Sequence, residues 1–324
     1  MSLSPSKSGT ARPRIALEGN ILGILFMLMA VSAGVITSLI IKDLSPMATL
    51  MVMLTVRFAF SLPFISIAAY AKRKSDWLKI TRWDRLMMRI VAGQLGIIFW
   101  FLAVANTSLG QATALFQSSA IFVTVLSPII LRERVGIYRG SAVFMGLIGI
   151  VMITNPFGDA LNIGSLYGLG SAIAGAVLVV ILRMLGRTEE PVTVALWHNI
   201  AGVIIYPLAV LVLFEGSILI SLVSQTFVML LLLGFAASFV QIGFTSAYRH
   251  GEAAALAPIR YLSVPMAALL GYFIWNEDLS MTEITGMFIV VASCIFISYR
   301  EYNLARKNAD DIERLKQTSQ PPQA

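Results

Sequence analysis

The chain is poor in the residues that most chemistry requires. Of its 324 residues one is cysteine, Cys294, and two are histidine, His198 and His250. A single thiol excludes a disulfide framework and a thiolate metal site, and two histidines alone do not make a metal cluster. Charge is scarce: 13% of residues are Asp, Glu, Lys or Arg, where soluble domains carry about 25%. No acid lies deep in an apolar stretch; Glu18, Glu133, Glu252, Glu277 and Glu283 all sit near segment ends. Ion-coupled carriers often rely on a buried carboxylate, so its lack favours exchange or uniport without excluding coupling. Gly168-Leu169-Gly170 has no Walker-type neighbour and is no phosphate loop.

What is present is apolar surface. Hydrophobic residues make up 57% of the chain and the mean hydropathy is +0.82, more than a soluble fold of this size can bury. The expected class is an all-α membrane protein. Apolar segments run roughly over 19–41, 47–70, 90–107, 111–131, 139–155, 162–183, 193–214, 225–248, 253–275 and 283–300, several of them near the ~20 residues that cross a bilayer. Residues 1–18 and 301–324 read as polar cytoplasmic tails. The first segment is too long for a signal peptide and has no evident small-residue cleavage site.

All but three of the 24 Lys and Arg residues fall in the tails and in alternate gaps between segments, as in Lys72, Arg73, Lys74, Lys79, Arg82, Arg85 and Arg89 of the second gap. The other gaps are neutral to acidic. Cytoplasmic loops collect Lys and Arg, so ten transmembrane helices with both termini cytoplasmic are expected. The net charge of +7 is then a topology and headgroup signal, not one for nucleic acid. The exceptions are Lys42, Arg57 and Arg260. An ionisable residue within a span is a functional candidate by default.

The halves resemble each other. Pro46-Met47-Ala48-Thr49 with Pro63 matches Pro191-Val192-Thr193 with Pro207; Ala105 and Ala112 match Ala247 and Ala254; Glu133 matches Glu277. Each Glu precedes a segment rich in small residues: Gly140, Gly146 and Gly149 in one, Gly286 and Ser293 in the other. Five spans per half is an odd number, so the second copy enters the membrane inverted. Inverted repeats place a solute site near the midplane between the halves. Two five-helix units, each with a Glu closing its fourth helix and a small-residue fifth, resemble the EamA domains of the drug/metabolite transporter superfamily. The likeness covers 19–155 and 162–300 and includes Arg57-Phe58, Phe122-Val123-Thr124 through Arg132-Glu133-Arg134, Pro258-x-x-Tyr261 and Tyr299-Arg300-Glu301. It implies a permease of the bacterial inner membrane and leaves the substrate open. Relatives carry amino acids and their derivatives, S-adenosylmethionine, riboflavin, sugars and metallophores. It also implies that an Arg at position 57 recurs with different substrates, as a shared gating or structural residue would.

Arg57 lies about ten residues into its segment, near the midplane. Its planar fork suits a carboxylate or phosphate; equally, it could brace helices through backbone carbonyls. Arg260 lies between Pro258 and Pro265. Two prolines remove two backbone donors and should open the helix, which is tolerated where helices line a cavity. Snorkelling to the nearby interface is the plainer alternative for Arg260. The repeat sets Arg260 opposite Ser118 of Gln117-Ser118-Ser119. Gln94, Gln241 and His198-Asn199 are polar residues within spans that more often join helices than bind ligand; Trp100 and Tyr261 could stack on a planar or cationic solute.

The expected function is a permease working by alternating access. Arg260, Tyr261, Gln117, Ser118, Trp100 and Gln241 would lie nearest the solute, with Arg57, Pro258, Pro265, Glu133 and Glu277 in gating or structural roles. An arginine in an acid-free cavity favours a carboxylate-bearing solute, amino-acid-like or S-adenosylmethionine. Riboflavin, another planar metabolite, or drug efflux is the alternative. No catalytic residue, metal or cofactor is expected. The partners are a small organic solute and the lipid bilayer, with no nucleic acid, and a homodimer is left open. A membrane enzyme lacks its acids, since His198 has no Ser or carboxylate at helical spacing. A non-transporting scaffold leaves the repeat unexplained.

Overall fold

A computed structural model describes residues 12–131, 137–154, 162–185, 188–213, 225–250 and 253–318. Among them there is no strand. The helices are α1 (Arg12–Leu44), α2 (Leu50–Arg73), α3 (Trp83–Asn106), α4 (Leu109–Gln117), α5 (Ser119–Leu131) and α6 (Ile137–Thr154) in the first half. The second half holds α7 (Ile163–Leu185), α8 (Pro191–Val212), α9 (Gln225–His250), α10 (Ala253–Tyr261), α11 (Ser263–Trp275) and α12 (Met281–Thr318). Among the described residues eight stretches are long and apolar enough to cross a membrane, α4 and α5 together forming one, and a shorter apolar helix runs Gly140–Thr154. α10 and α11, of 9 and 13 residues, are each short of a span.

Local chemistry sets several helix starts. Thr49 is extended ahead of α2 and accepts from Val52 N at 3.5 Å; Ser108 accepts from Gln111 N at 3.2 Å ahead of α4. Asn162 Oδ1 accepts from Gly164 N at 2.8 Å ahead of α7, and Pro191 occupies the first turn of α8. Each uses an N–H that the helix cannot satisfy itself or, with proline, removes one.

The pairing of helices follows the sequence repeat. α1 packs on α9 and α7 on α3, while α2 pairs with α8 and α6 with α12. Exchanging the halves carries the first pairing into the second and returns the last two unchanged. The same exchange relates the contacts of α7 with α4 and α5 to those of α1 with α10 and α11. Backbones approach closely where α6 crosses α12: a Cβ built on Gly149 would lie 2.8 Å from the Gly286 carbonyl, and one on Gly286 2.8 Å from that of Gly149. Small residues allow such a crossing in lipid, where van der Waals packing holds helices together. Large apolar side chains such as Ile67, Leu211, Phe273 and Phe288 face outward.

Candidate functional site

Two helix interruptions meet inside the protein. α10 gives way to α11 at Leu262, whose N–H bonds Ile259 O at 3.1 Å in a tighter turn. Pro265 explains the position, because it has no N–H to offer the Tyr261 carbonyl. The Arg260 carbonyl at this break accepts from Gln117 Nε2 at 2.9 Å and from Ser263 Oγ at 3.0 Å. α4 gives way to α5 at Ser118, where no proline follows within a turn. There Ser118 Oγ donates to Leu115 O at 2.6 Å and Ile121 N bonds Ser118 O at 2.9 Å. A serine that bonds the preceding turn competes with the regular ladder and bends the helix. The two breaks set Ser118 opposite Leu262, two residues beyond the alignment through Ala105 and Ala247.

Gln117 joins the breaks. Its amide donates to the Arg260 carbonyl and to Ser263 Oγ at 3.0 Å, and its Oε1 accepts from Arg260 Nε at 3.2 Å. Gln117 and Ser118 are buried, while the Arg260 side chain is half-buried and has no ion-pair partner among the described residues. Tyr261 is buried, its hydroxyl 3.4 Å from Ser298 Oγ on α12, and Cys294 Sγ donates to the Gln117 carbonyl at 3.5 Å. The cluster therefore draws on α4, α10, α11 and α12.

Trp100 of α3 is half-buried, with its ring 5.7 Å from Phe116, the neighbour of Gln117. Its indole N–H is shielded and has no acceptor. Gln241 lies half-buried on α9, which packs on α1 and α2, and takes no part in the Gln117–Arg260 hydrogen bonds. Pro258 and Pro265 are both exposed, so they shape α10 and α11 from outside. Arg57 packs over the rings of Phe58 and Phe101 at 5.6 and 5.8 Å, and its NH1 is buried with no acceptor. The structure thus places Gln117, Ser118, Arg260 and Tyr261 together with Trp100 at their border, and sets Gln241 and Arg57 at other interfaces. Ser263 and Cys294 were missed as members. Among the described residues no group of three His, Cys, Asp or Glu side chains could hold a metal.

Glu277 sits where α11 ends. Asn276, in the left-handed region at φ 50°, turns the chain, and Glu277 folds back beneath Gly271, where a side chain on Gly271 would collide with its carboxylate. Glu277 pairs with Lys42 and accepts from Leu109 N at 2.8 Å, at the start of α4. Lys42 Nζ also donates to Thr107 O at 2.8 Å and lies 5.7 Å from the Trp275 ring centre. A cavity of about 460 Å³ opens here, bordered by Lys42, Asn106, Gln111, Asn162, Glu277 and Glu283. α4 runs from this mouth to the break at Ser118, about 12 Å at helical rise. Glu133, the counterpart of Glu277, lies outside the described residues.

Comparison with known proteins agrees with this architecture. The model of the EamA-like transporter family matches residues 17–155 and again 162–299. A riboflavin transporter of Rhizobium johnstonii is 26% identical over 78% of this chain and 80% of its own length. An S-adenosylmethionine uptake transporter of Rickettsia prowazekii is 26% identical over 88% and 95%. A pseudopaline exporter of Pseudomonas aeruginosa is 26% identical over 66% and 74%. One crystal structure superposes with a TM-score of 0.57 at 16% identity, covering 86% of this chain and 97% of that one; at that identity the likeness is one of fold.

Proposed function

The chain belongs to the EamA-like transporter family and is a multi-pass membrane transporter, not an enzyme; from that premise we propose that it carries a small carboxylate-bearing metabolite, amino-acid-like or S-adenosylmethionine. It does so across the bacterial inner membrane by alternating access, through ten spans in two inverted repeats. α4 with α5, and α10 with α11, each count as one span, and both termini are cytoplasmic. The observation that carries this reading is the meeting of two broken helices at Gln117 and Arg260, where Arg260 has no ion-pair partner among the described residues and Trp100 lies against Phe116, the neighbour of Gln117. Broken helices at membrane depth are where carriers of inverted-repeat architecture hold their solutes. The exchange symmetry of the helix pairing supports two related halves, and the Lys42–Glu277 pair supports a contact between them at one mouth.

Relatives at equal identity handle riboflavin, S-adenosylmethionine and pseudopaline. Riboflavin is the second reading, favoured by the ring contacts of Trp100 with Phe101 and Phe116; it would rely on ring stacking instead of Arg260. A thermal-shift screen of the purified protein over metabolites separates the two, because a ligand of the folded state raises its melting temperature. Stabilisation by carboxylated solutes that Arg260→Lys weakens supports the first; stabilisation by flavins that Trp100→Ala abolishes supports the second.

A further inference from the structure

By composition Arg89 belongs with the basic residues of the loop after α2, yet it sits within α3 with 8% of its surface exposed. Its Nε and NH1 are buried, and among the described residues they have no acceptor and no carboxylate pairs with the side chain. An arginine near a helix end normally reaches toward the closer interface, and in a helix Cβ bonds already point toward the N-terminus. Arg89 does the reverse. A Cβ built on Gly93, one turn further into the span, would lie 2.9 Å from Arg89 NH1 and 2.9 Å from His198 Cε1. The guanidinium is thus folded inward against the imidazole, in space that only a glycine leaves. Gly93 lies about 15 Å along α3 at helical rise, half of a hydrocarbon core about 30 Å thick.

A polar track continues from there between α3 and α8. Gln94 Nε2 donates to His198 O at 3.2 Å and lies 3.4 Å from His198 Nδ1. Tyr206 donates its hydroxyl proton to Gln94 Oε1 at 2.7 Å. Phe58 meets His198 edge-on at 5.3 Å and stacks on Tyr206 at 5.4 Å, and over Phe58 lies Arg57 with its unpaired NH1. Both guanidiniums are within electrostatic reach of His198. Two cations share this enclosure with no described acid, and the neighbouring amide and hydroxyl are committed to each other. An uncompensated guanidinium is strongly unfavourable in such surroundings.

We propose that α2, α3 and α8 enclose a binding site for an oxyanion, the carboxylate or phosphate group of a soluble ligand. Arg89 donates from Nε–H and from NH1, which lie on different edges of its guanidinium, to oxygens of the bound group, while Arg57 supplies the second positive charge from the other end of the track. This site is distinct from the one at Gln117 and Arg260, which lies at the meeting of α4 with α10 and α11. It stands whether or not the chain moves a solute, because it is defined by equilibrium binding.

The test uses the full chain in nanodiscs of phosphatidylcholine, with melting temperature followed against inorganic phosphate or acetate and against chloride at matched ionic strength. The parent should be stabilised saturably by phosphate or acetate beyond chloride. Arg89→Gln should weaken that binding at least tenfold. Gly93→Ala, which keeps every charge but expels the guanidinium from its place, should do the same and decides the matter if Arg89→Gln does not fold. Arg85→Gln, altering a side chain bonded to Met184 O at 3.1 Å, should bind as the parent does. No stabilisation of the parent beyond chloride, or equal binding in Gly93→Ala and the parent, overturns the proposal. So does stabilisation seen only with phosphatidylglycerol in the disc, which would make this a lipid-headgroup site.

Discussion

Lys42 and Glu277, drawn from opposite halves of the chain, form an ion pair in the wall of the cavity at the start of α4. Glu277 simultaneously caps α4 through Leu109 N, so one carboxylate ties α1, α4 and α11 together. Both side chains are mostly buried, at 18% and 11% exposure.

Removing either partner should therefore cost more than an exposed pair would. Glu277→Gln leaves Lys42 without its counter-charge and should lower stability by about 1–3 kcal/mol, the penalty of an unsatisfied buried group. Lys42→Glu should be worse, since it opposes two carboxylates, and the exchange Lys42→Glu with Glu277→Lys should recover part of the loss. Melting temperatures of the parent, Lys42→Glu, Glu277→Lys and the exchange check this; full additivity of the two single changes would mean the residues do not interact.

Arg57 gives a prediction of opposite sign. Its NH1 has no acceptor and its plane lies on Phe58 and Phe101. Were it a brace bonded to carbonyls, replacement would destabilise. With its bonding capacity unfilled, Arg57→Met should hold or raise the melting temperature, since a buried charge exchanged for an apolar side chain of similar volume is often neutral or stabilising by about 1–4 kcal/mol. A clear fall in melting temperature would restore the bracing role.

Pro265→Ala returns an N–H to the Tyr261 carbonyl and should regularise the junction of α10 and α11. The side chain at 265 is exposed, so no cavity is created. The variant should reach the membrane at parental levels and transport poorly, because a regular helix would hand the Arg260 carbonyl to Val264 N–H and release Gln117. Parental flux would make the interruption incidental to function.

Much of this was readable in the sequence, and the failures have physical causes. Pro265 announced the second break. Ser118 announced nothing, because serine bends a helix only when its hydroxyl turns back on the preceding turn, and the sequence does not say which way it turns. Lys42 stood out as a misplaced charge and Glu277 as the counterpart of Glu133, but 235 residues separate them, and only packing of the two halves brings them together. Arg89 was misread because loop and span ends look alike in composition. Its one signal was a glycine one turn later, common enough in membrane helices to pass unnoticed. Gln241 looked equivalent to Gln117 by polarity alone, and the fold placed it elsewhere.

The proposed ten-span arrangement predicts the side of each loop. Reporters fused at residues 43 and 278 should score periplasmic, and those at 76 and 310 cytoplasmic, following the partition of basic residues. One reproducible reversal breaks the inverted repeat.

The most direct measurement of the central claim is flux in proteoliposomes with variants at the two breaks. The purified chain should exchange a carboxylate-bearing metabolite saturably. Arg260→Lys, which keeps the charge but loses the two-pronged geometry, should weaken apparent affinity by about 1–3 kcal/mol while melting like the parent. Gln117→Ala should lose flux as well, since Gln117 holds both Arg260 Nε and its carbonyl. Saturable flux that neither variant alters would place the solute elsewhere in the molecule and contradict the account.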